Sequence, residues 1–175
     1  YLKRYGATLK GMVLHHGVRE DDFLREAHRF EDLPSLLRYE RGLARVIANL
    51  PGRKVLFTNA PNLYARQVMR FLRLHPHFDH HVSIESMRVH GKSHPKPSKA
   101  FLRKFLAQHG WHPQQCVLVE DSVANLSAAK QIGMRTVMVT GHGQHVQQKS
   151  ISARADITVK SVFELPRRSS QWRLR

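Results

Sequence analysis

Short apolar segments alternate with helical patterns from Val55 onward, and this alternation constrains the fold more than any other feature of the sequence. The helical patterns between the segments are about 10–12 residues long, the length that typically crosses from one parallel strand to the next. Strands are predicted at Lys54–Asn59, His81–Ser86, Cys116–Glu120, Arg135–Thr140 and Ala155–Ser161.

The intervening helices are marked by their first residues and by their apolar spacing. Pro61 opens one helix, and Ser98 can cap a second that ends at Gly110. A third is predicted from about Ser122 to Ile132. The inner face of the first helix is predicted to carry Leu63, Val68, Met69 and Leu72, and that of the second Phe101, Leu102, Phe105 and Leu106.

The predicted fold class is α/β, with a Rossmann-like, doubly wound parallel sheet. The strands are nearly continuous apolar runs, as expected when a parallel strand is buried on both faces. In such sheets ligands bind beyond the carboxyl ends of the strands. Polar residues at those ends are therefore the candidate site residues.

The beginning and the end of the chain differ from this pattern. Residues 1–35 contain only helical patterns and are predicted to form a partial helical cap, followed by an α/β core at 36–166. The last residues, 167–175, are basic and are predicted to form a frayed tail.

Two of the candidate segments carry groups suited to an anion. Thr58 and Asn59 end the first strand just before a helix, where a hydroxyl and free backbone N–H groups can bind a phosphate. Lys96 lies between two prolines, which hold the backbone extended and present the ammonium group at low ordering cost. Each has an ordinary alternative, a simple turn for Thr58 and a solvated lysine for Lys96.

Glu120 and Asp121 follow an apolar strand directly and precede Ser122 at the start of a helix. Paired carboxylates at this edge of a sheet suit a hard cation such as Mg²⁺. Asp121 and Ser122 also suit helix capping. These residues alone do not decide between the two interpretations.

Taken in order, these motifs resemble the haloacid dehalogenase superfamily. "LFTN" matches its Thr-ended strand, "PKPS" its lysine motif and "VLVEDS" its acid pair, and the resemblance runs from about Leu36 to Leu165. "YGATLKGMV" and "LPGRKVLFTNAP" are similar to the pyrimidine 5′-nucleotidase branch, in which a helical cap follows the first strand.

The resemblance implies a Mg²⁺-dependent hydrolase of small phosphomonoesters, here nucleoside monophosphates, acting through an aspartyl-phosphate. Thr58 and Lys96 would be catalytic and would bind the phosphate together with the Asn59 backbone. Asp121, with Glu120 beside it, would hold the metal. Ser122 and Asn125 would support them.

The nucleophile that the resemblance requires is absent from the sequence. In the family it lies in an Asp-x-Asp stretch after the first, central strand, and none of Asp21, Asp22, Asp32, Asp79, Asp121 and Asp156 forms such a pair. The first strand is therefore expected to be missing, through truncation or gene decay, and the chain alone is expected to be inactive.

Composition leaves an alternative function open and adds some limits. Lys and Arg number 29 against 13 Asp and Glu, so the net charge of +16 also suits a non-catalytic protein with a nucleic-acid-binding surface, although no base-reading motif is present. One cysteine indicates a reducing, cytoplasmic setting, and no apolar run predicts a membrane span. Histidines at 75, 77, 80 and 81 raise the further idea of a zinc or sensor site. The oligomeric state is not indicated.

Overall fold

The computed structural model describes Tyr1, residues 8–141 and residues 155–172. The chain forms two compact units, the first comprising Tyr1–Ala44 and Arg53–Arg88, the second Arg45–Gly52 and Val89–Arg175. This division by compactness differs from the ranges 1–35, 36–166 and 167–175, which stay predictions about a cap, a core and a tail.

The first unit begins with helices, as the sequence predicts. They are α1 (Thr8–His16), α2 (Glu20–Ala27) and the short α3 (Leu33–Leu36). Leu9 and Leu24 are buried together with Ile84, and Phe23 packs against them. Burial of these side chains stabilises the helical segment, since each fully buried large apolar side chain contributes roughly 1.5–3 kcal/mol.

One strand–helix–strand element completes the first unit. It consists of β1 (Val55–Phe57), α5 (Asn62–Phe71) and β2 (His80–Val82). The strands are parallel, with Val55 opposite His80 and Phe57 opposite Val82. The inner side of α5 carries Ala65 and Met69, both buried. The prediction that Leu63 lies inward is wrong: its exposed fraction is 69%, because the i, i+4 spacing of the buried pair turns Leu63 outward.

The second predicted strand is shorter than the apolar pattern suggested. Residues Ile84–Ser86 form a 3₁₀ turn instead of continuing β2. The Ile84 N–H donates to the Ala60 carbonyl at 3.3 Å, and the Ser86 hydroxyl donates to the Ser83 carbonyl at 2.7 Å. These hydrogen bonds, one to the loop after β1 and one local, take the place of the sheet ladder and end the strand.

In the chain, α4 (Leu43–Ala48) precedes β1, and a small ribbon of β3 (Arg88–Val89) and β4 (Lys92–Ser93) follows β2. His90 and Gly91 connect the ribbon with φ of 49° and 76°. Positive φ at both central residues is the requirement of a type I′ turn. Residues 88–93, for which no strand is predicted, therefore form a short ribbon.

The second unit is built on a parallel sheet of β5 (Val117–Glu120), β6 (Arg135–Val139) and β7 (Ile157–Val159), in that order. Its helices are α6 (Lys99–Gln108), α7 (Val123–Lys130) and α8 (Leu165–Trp172). In α6 the predicted cap is confirmed, since the Ser98 hydroxyl accepts from the Phe101 N–H at 3.1 Å.

Both faces of this sheet are covered, which confirms the α/β fold class. Met138 is buried against Leu126 and Ala155, whereas Val137 and Val159 are buried against Leu165. Alternate residues of β6 thus enter two separate cores, as period-2 side-chain alternation requires. The described parallel strands form two hydrogen-bonded sets, β1–β2 and β5–β6–β7.

The end of the chain is more ordered than expected. The predicted frayed tail at 167–175 is helical as far as Trp172, and Arg173–Arg175 lie outside the described residues. Leu165, only 2% exposed, anchors this helix on Val137 and Val159. An apolar anchor at the first residue holds a short helix whose remaining residues are largely polar.

Candidate functional site

The second unit brings together three of the predicted site residues. Lys96 comes from the loop before α6, and Glu120 and Asp121 come from the carboxyl end of β5. The Lys96 Nζ donates to Glu120 Oε2 at 2.7 Å, and the two side chains are 14% and 10% exposed. A buried, charge-assisted hydrogen bond of this length fixes both groups.

The second oxygen of Glu120 is also engaged. Glu120 Oε1 accepts from the backbone N–H groups of Asp121 at 3.2 Å and Ser122 at 3.3 Å. Ser122 is the N-cap residue of α7, yet its side chain makes no capping hydrogen bond. The Ser122 side chain therefore does not cap α7, and the Glu120 carboxylate instead accepts from the two backbone N–H groups that directly precede the helix.

Asp121 is exposed and differs from Glu120 in its surroundings. The hydrogen bond shared with Glu120 raises the pKa of Asp121 above its ordinary value, with further contributions from burial and from the negative charge of Glu120. Burial alone would raise the pKa of Glu120, but the hydrogen bond with Asp121 and the charge of Lys96 bring it below its ordinary value. Glu120 is thus the carboxylate that stays ionised to lower pH, and Asp121 is the one that keeps its proton to higher pH.

Asn125 lies on α7, four residues after Asp121, and is half-buried. The supporting role that the resemblance gives to Asn125 stays a prediction.

Thr58 and Asn59 belong to the first unit, where they follow β1. The Thr58 N–H donates to the Val82 carbonyl at 3.0 Å, and its hydroxyl oxygen accepts from the Ala60 N–H at 3.0 Å. The hydroxyl hydrogen of Thr58 is used in no hydrogen bond among the described residues. A hydroxyl held by an accepted bond and free to donate is suited to an oxyanion.

No motif in the sequence singles out Glu85. Both of its carboxylate oxygens accept from the Asn62 N–H, at 2.9 and 3.1 Å, at the start of α5. This carboxylate stabilises the positive end of the helix. Because the two residues are 23 positions apart, no local motif reveals the contact.

The histidine segment does not form a metal site within the described ranges. The rings of His75 and His81 meet edge to face with centroids 4.8 Å apart. Burial lowers the pKa of His81, and the neighbouring His75 lowers it further. No group of three or more His, Cys, Asp or Glu side chains arranged for a metal exists among residues that the structure describes. The idea of a zinc site here is therefore wrong.

The comparisons with known proteins identify the family of the chain. The family model of the haloacid dehalogenase-like hydrolases matches residues 11–133, well over half of the chain. The chain belongs to this family of hydrolases.

Solved structures of the same superfamily share the fold. A β-phosphoglucomutase-like protein from Thermotoga maritima is 22% identical with a TM-score of 0.64, covering 97% of this chain and 87% of its own. The L-2-haloacid dehalogenase from Xanthobacter autotrophicus with covalently bound chloropropionic acid is 16% identical, with a TM-score of 0.62 and coverages of 93% and 74%. A phosphatase from Thermococcus onnurineus is 18% identical, with a TM-score of 0.60 and coverages of 86% and 64%.

These neighbours include both phosphatases and dehalogenases, so the fold alone does not select the reaction. In the part of the chain that the structure describes, no helix has the length and hydropathy needed to cross a bilayer.

Proposed function

We propose that this protein is a Mg²⁺-dependent phosphatase of small phosphomonoesters, with nucleoside monophosphates of the pyrimidine type as substrates. The observation that carries the proposal is the Lys96–Glu120–Asp121 arrangement, in which a buried ion pair leaves one adjacent carboxylate exposed. A dehalogenase does not require an acid pair that binds a cation, because its substrate carries no phosphate group whose negative charge a cation would neutralise.

Each residue has a role that follows from its surroundings. Thr58 would donate its free hydroxyl hydrogen to a phosphoryl oxygen, with the Asn59 backbone close by. Lys96 carries a positive charge and would pair with the nucleophile and the phosphate. Glu120 would hold Lys96 and the start of α7 in place, and Asn125 would position a neighbouring group.

The acid pair fits Mg²⁺ through Asp121. Both oxygens of Glu120 already accept hydrogen bonds, whereas the Asp121 carboxylate is exposed. Mg²⁺ commonly takes one or two protein carboxylates and completes its shell with waters and substrate phosphate. We therefore propose Asp121 as the direct ligand, with Glu120 contributing through water. When bound, Mg²⁺ offsets the negative charge of the phosphate.

The nucleophile of this reaction is not among the 175 residues, because they contain no Asp-x-Asp pair. We propose that it lies on a further strand and that this chain alone does not turn over substrate. The open edge of β5 supports such a strand, because β5 pairs only with β6 among the described strands. Val119, in the middle of this apolar strand, is also 38% exposed. An apolar strand with an open edge is suited to further pairing.

We also propose a cytoplasmic location, because a chain with one cysteine has no disulfide of its own to maintain.

The test is an assay of the chain extended by the in-frame sequence before Tyr1, measuring phosphate release from UMP and CMP with and without Mg²⁺. We expect Asp121→Asn and Lys96→Met each to lower kcat/KM at least about 100-fold, since each removes charge stabilisation in the transition state. Lys99→Met is the matched control: Lys99 is exposed, bonds only Gln131 in the described contacts, and lies three positions from Lys96.

Three results would contradict the proposal at different levels. Phosphate release from sugar phosphates but not from UMP or CMP would keep the phosphatase and remove the nucleotide branch. Halide release from 2-haloacids without phosphatase activity would replace the reaction class. Salt-sensitive binding of RNA or DNA with no hydrolysis of any phosphomonoester would favour the nucleic-acid-binding alternative that the charge of +16 raises.

A further inference from the structure

Three rings meet on the surface of the first unit. Tyr64, in α5, has its ring centroid 5.1 Å from that of His28 and 5.7 Å from that of Phe30. Both contacts are tilted, at 57° and 45°. His28 and Phe30 follow α2, so the group joins the end of one helix to the beginning of another.

The three rings are not fully buried, unlike side chains in a hydrophobic core. Phe30 is 43% exposed, so part of this aromatic group faces solvent. Exposed aromatic surface beside polar groups is more typical of a binding site than of packing alone.

The polar edges of these rings are defined as well. The His28 Nδ1 is 3.0 Å from the Leu24 carbonyl, which can only accept, so Nδ1 carries the hydrogen and Nε2 is the acceptor of the neutral ring. The Tyr64 hydroxyl has no hydrogen-bond partner within the described ranges. The surface thus offers a ring face, one hydroxyl and one ring nitrogen.

The group lies close to Thr58 along the chain. Tyr64 is the third residue of α5 and therefore lies within the first turn of that helix, about 5.4 Å in pitch, directly after the loop that carries Thr58. A phosphate on the Thr58 hydroxyl would place the rest of its ester near the start of this helix.

We propose that His28, Phe30 and Tyr64 form the subsite for the base of a nucleoside monophosphate. Phe30 stacks on the heterocycle, and the Tyr64 hydroxyl and His28 Nε2 bond its polar edge. This inference rests on the proposed phosphatase function and assigns to it the residues that select a ring-bearing substrate over a plain sugar phosphate.

The test measures binding to the chain itself by titration calorimetry, with UMP, ribose 5-phosphate and inorganic phosphate as probes. We expect UMP to bind about 5- to 100-fold more tightly than ribose 5-phosphate, as expected for one stacked base. Phe30→Ala should remove most of this difference, and Tyr64→Phe should weaken UMP binding about 2- to 10-fold. Neither change should alter the affinity for ribose 5-phosphate.

Phe71→Ala is the matched control, because Phe71 is 40% exposed at the other end of the same helix. Equal affinities for UMP and ribose 5-phosphate in the unmodified chain would overturn the subsite and leave the phosphatase proposal standing. A change of oligomeric state in Phe30→Ala with unaltered UMP binding would assign the surface to a protein interface and also overturn it. Failure of all three phosphates to bind would remove both proposals.

Discussion

Replacing Lys96 by methionine should destabilise the second unit by about 2–4 kcal/mol. The Lys96–Glu120 distance of 2.7 Å corresponds to an attraction of roughly 6 kcal/mol at an effective dielectric constant near 20, much of which offsets the cost of desolvating two charges. Breaking a buried pair typically costs about 3–5 kcal/mol, because the remaining charge is left without its partner. We expect less here, since Glu120 is 10% exposed and keeps two backbone N–H bonds.

Glu120→Gln should cost less than Lys96→Met. The amide oxygen can still accept from the Asp121 and Ser122 N–H groups, and the stranded ammonium of Lys96 lies on a flexible stem that can reach water. The double substitution should therefore be more stable than the sum of the single effects predicts, by about 1–2 kcal/mol.

Urea unfolding followed by far-UV circular dichroism measures all four proteins of this cycle, with Lys99→Met as the exposed-lysine control, expected within about 0.5 kcal/mol of the original chain. The pH dependence gives an independent check. Because the pKa of Glu120 is lowered by folding, its contribution is present above the ordinary glutamate pKa and is lost as the pH falls through the folded value. A coupling energy below about 0.5 kcal/mol would refute the reasoning, because the pair would then act as an ordinary surface ion pair.

Three further predictions concern the parts of the second unit that support the site, all measured by the same unfolding assay. Leu126→Ala should cost about 2–5 kcal/mol, because Leu126 is fully buried and truncation leaves a cavity; a loss under 1 kcal/mol would contradict the packing described here. Ser98→Ala should cost about 1 kcal/mol through loss of the cap bond to Phe101, with Ser98→Asp restoring it. Asp156→Asn should cost about 1–2 kcal/mol at neutral pH, since the half-exposed carboxylate accepts from the Thr136 N–H and hydroxyl. Burial opposes the shift, but hydrogen bonds lower the pKa of Asp156, so its contribution is lost on acidification and the Asn variant should show a flatter pH dependence.

The resemblance placed Lys96 and the acid pair in one site, and the two lie together in the second unit. The position of the acid pair follows from a general rule, because Glu120 ends β5 at the carboxyl edge of a parallel sheet, where ligands bind. Lys96 follows the β3–β4 ribbon, so the same rule does not account for its position. The helices and strands of the second unit were predictable because their apolar periodicity is regular and their caps are local, as for Ser98. Caps and apolar periodicity depend on a few neighbouring residues, so they can be identified from the sequence without knowing the rest of the fold.

The errors occurred where long-range or backbone contacts decide. The run after His81 has the composition of a strand, but hydrogen bonds to the Ala60 and Ser83 carbonyls turn it into a 3₁₀ element. Glu85 contacts the start of α5 from 23 positions away, and the outward orientation of Leu63 depends on which side of that helix is buried. None of these contacts has a signature in the local pattern of residue types.

The hydrogen bonds of Glu120 and the exposure of Asp121 explain why two acidic residues stand side by side at the end of β5. Glu120 ends a strand and accepts hydrogen bonds from Lys96 and from the two backbone N–H groups just before α7, so its carboxylate holds the Lys96 loop to the end of β5. A carboxylate with both oxygens engaged is a poor direct ligand for a cation, because binding would break hydrogen bonds already made. Asp121, one residue later, donates its N–H to Glu120, but it is an exposed residue whose own carboxylate faces solvent. Two neighbouring acids can therefore do what one cannot: the first fixes the geometry through its hydrogen bonds, and the second remains available for a charged ligand.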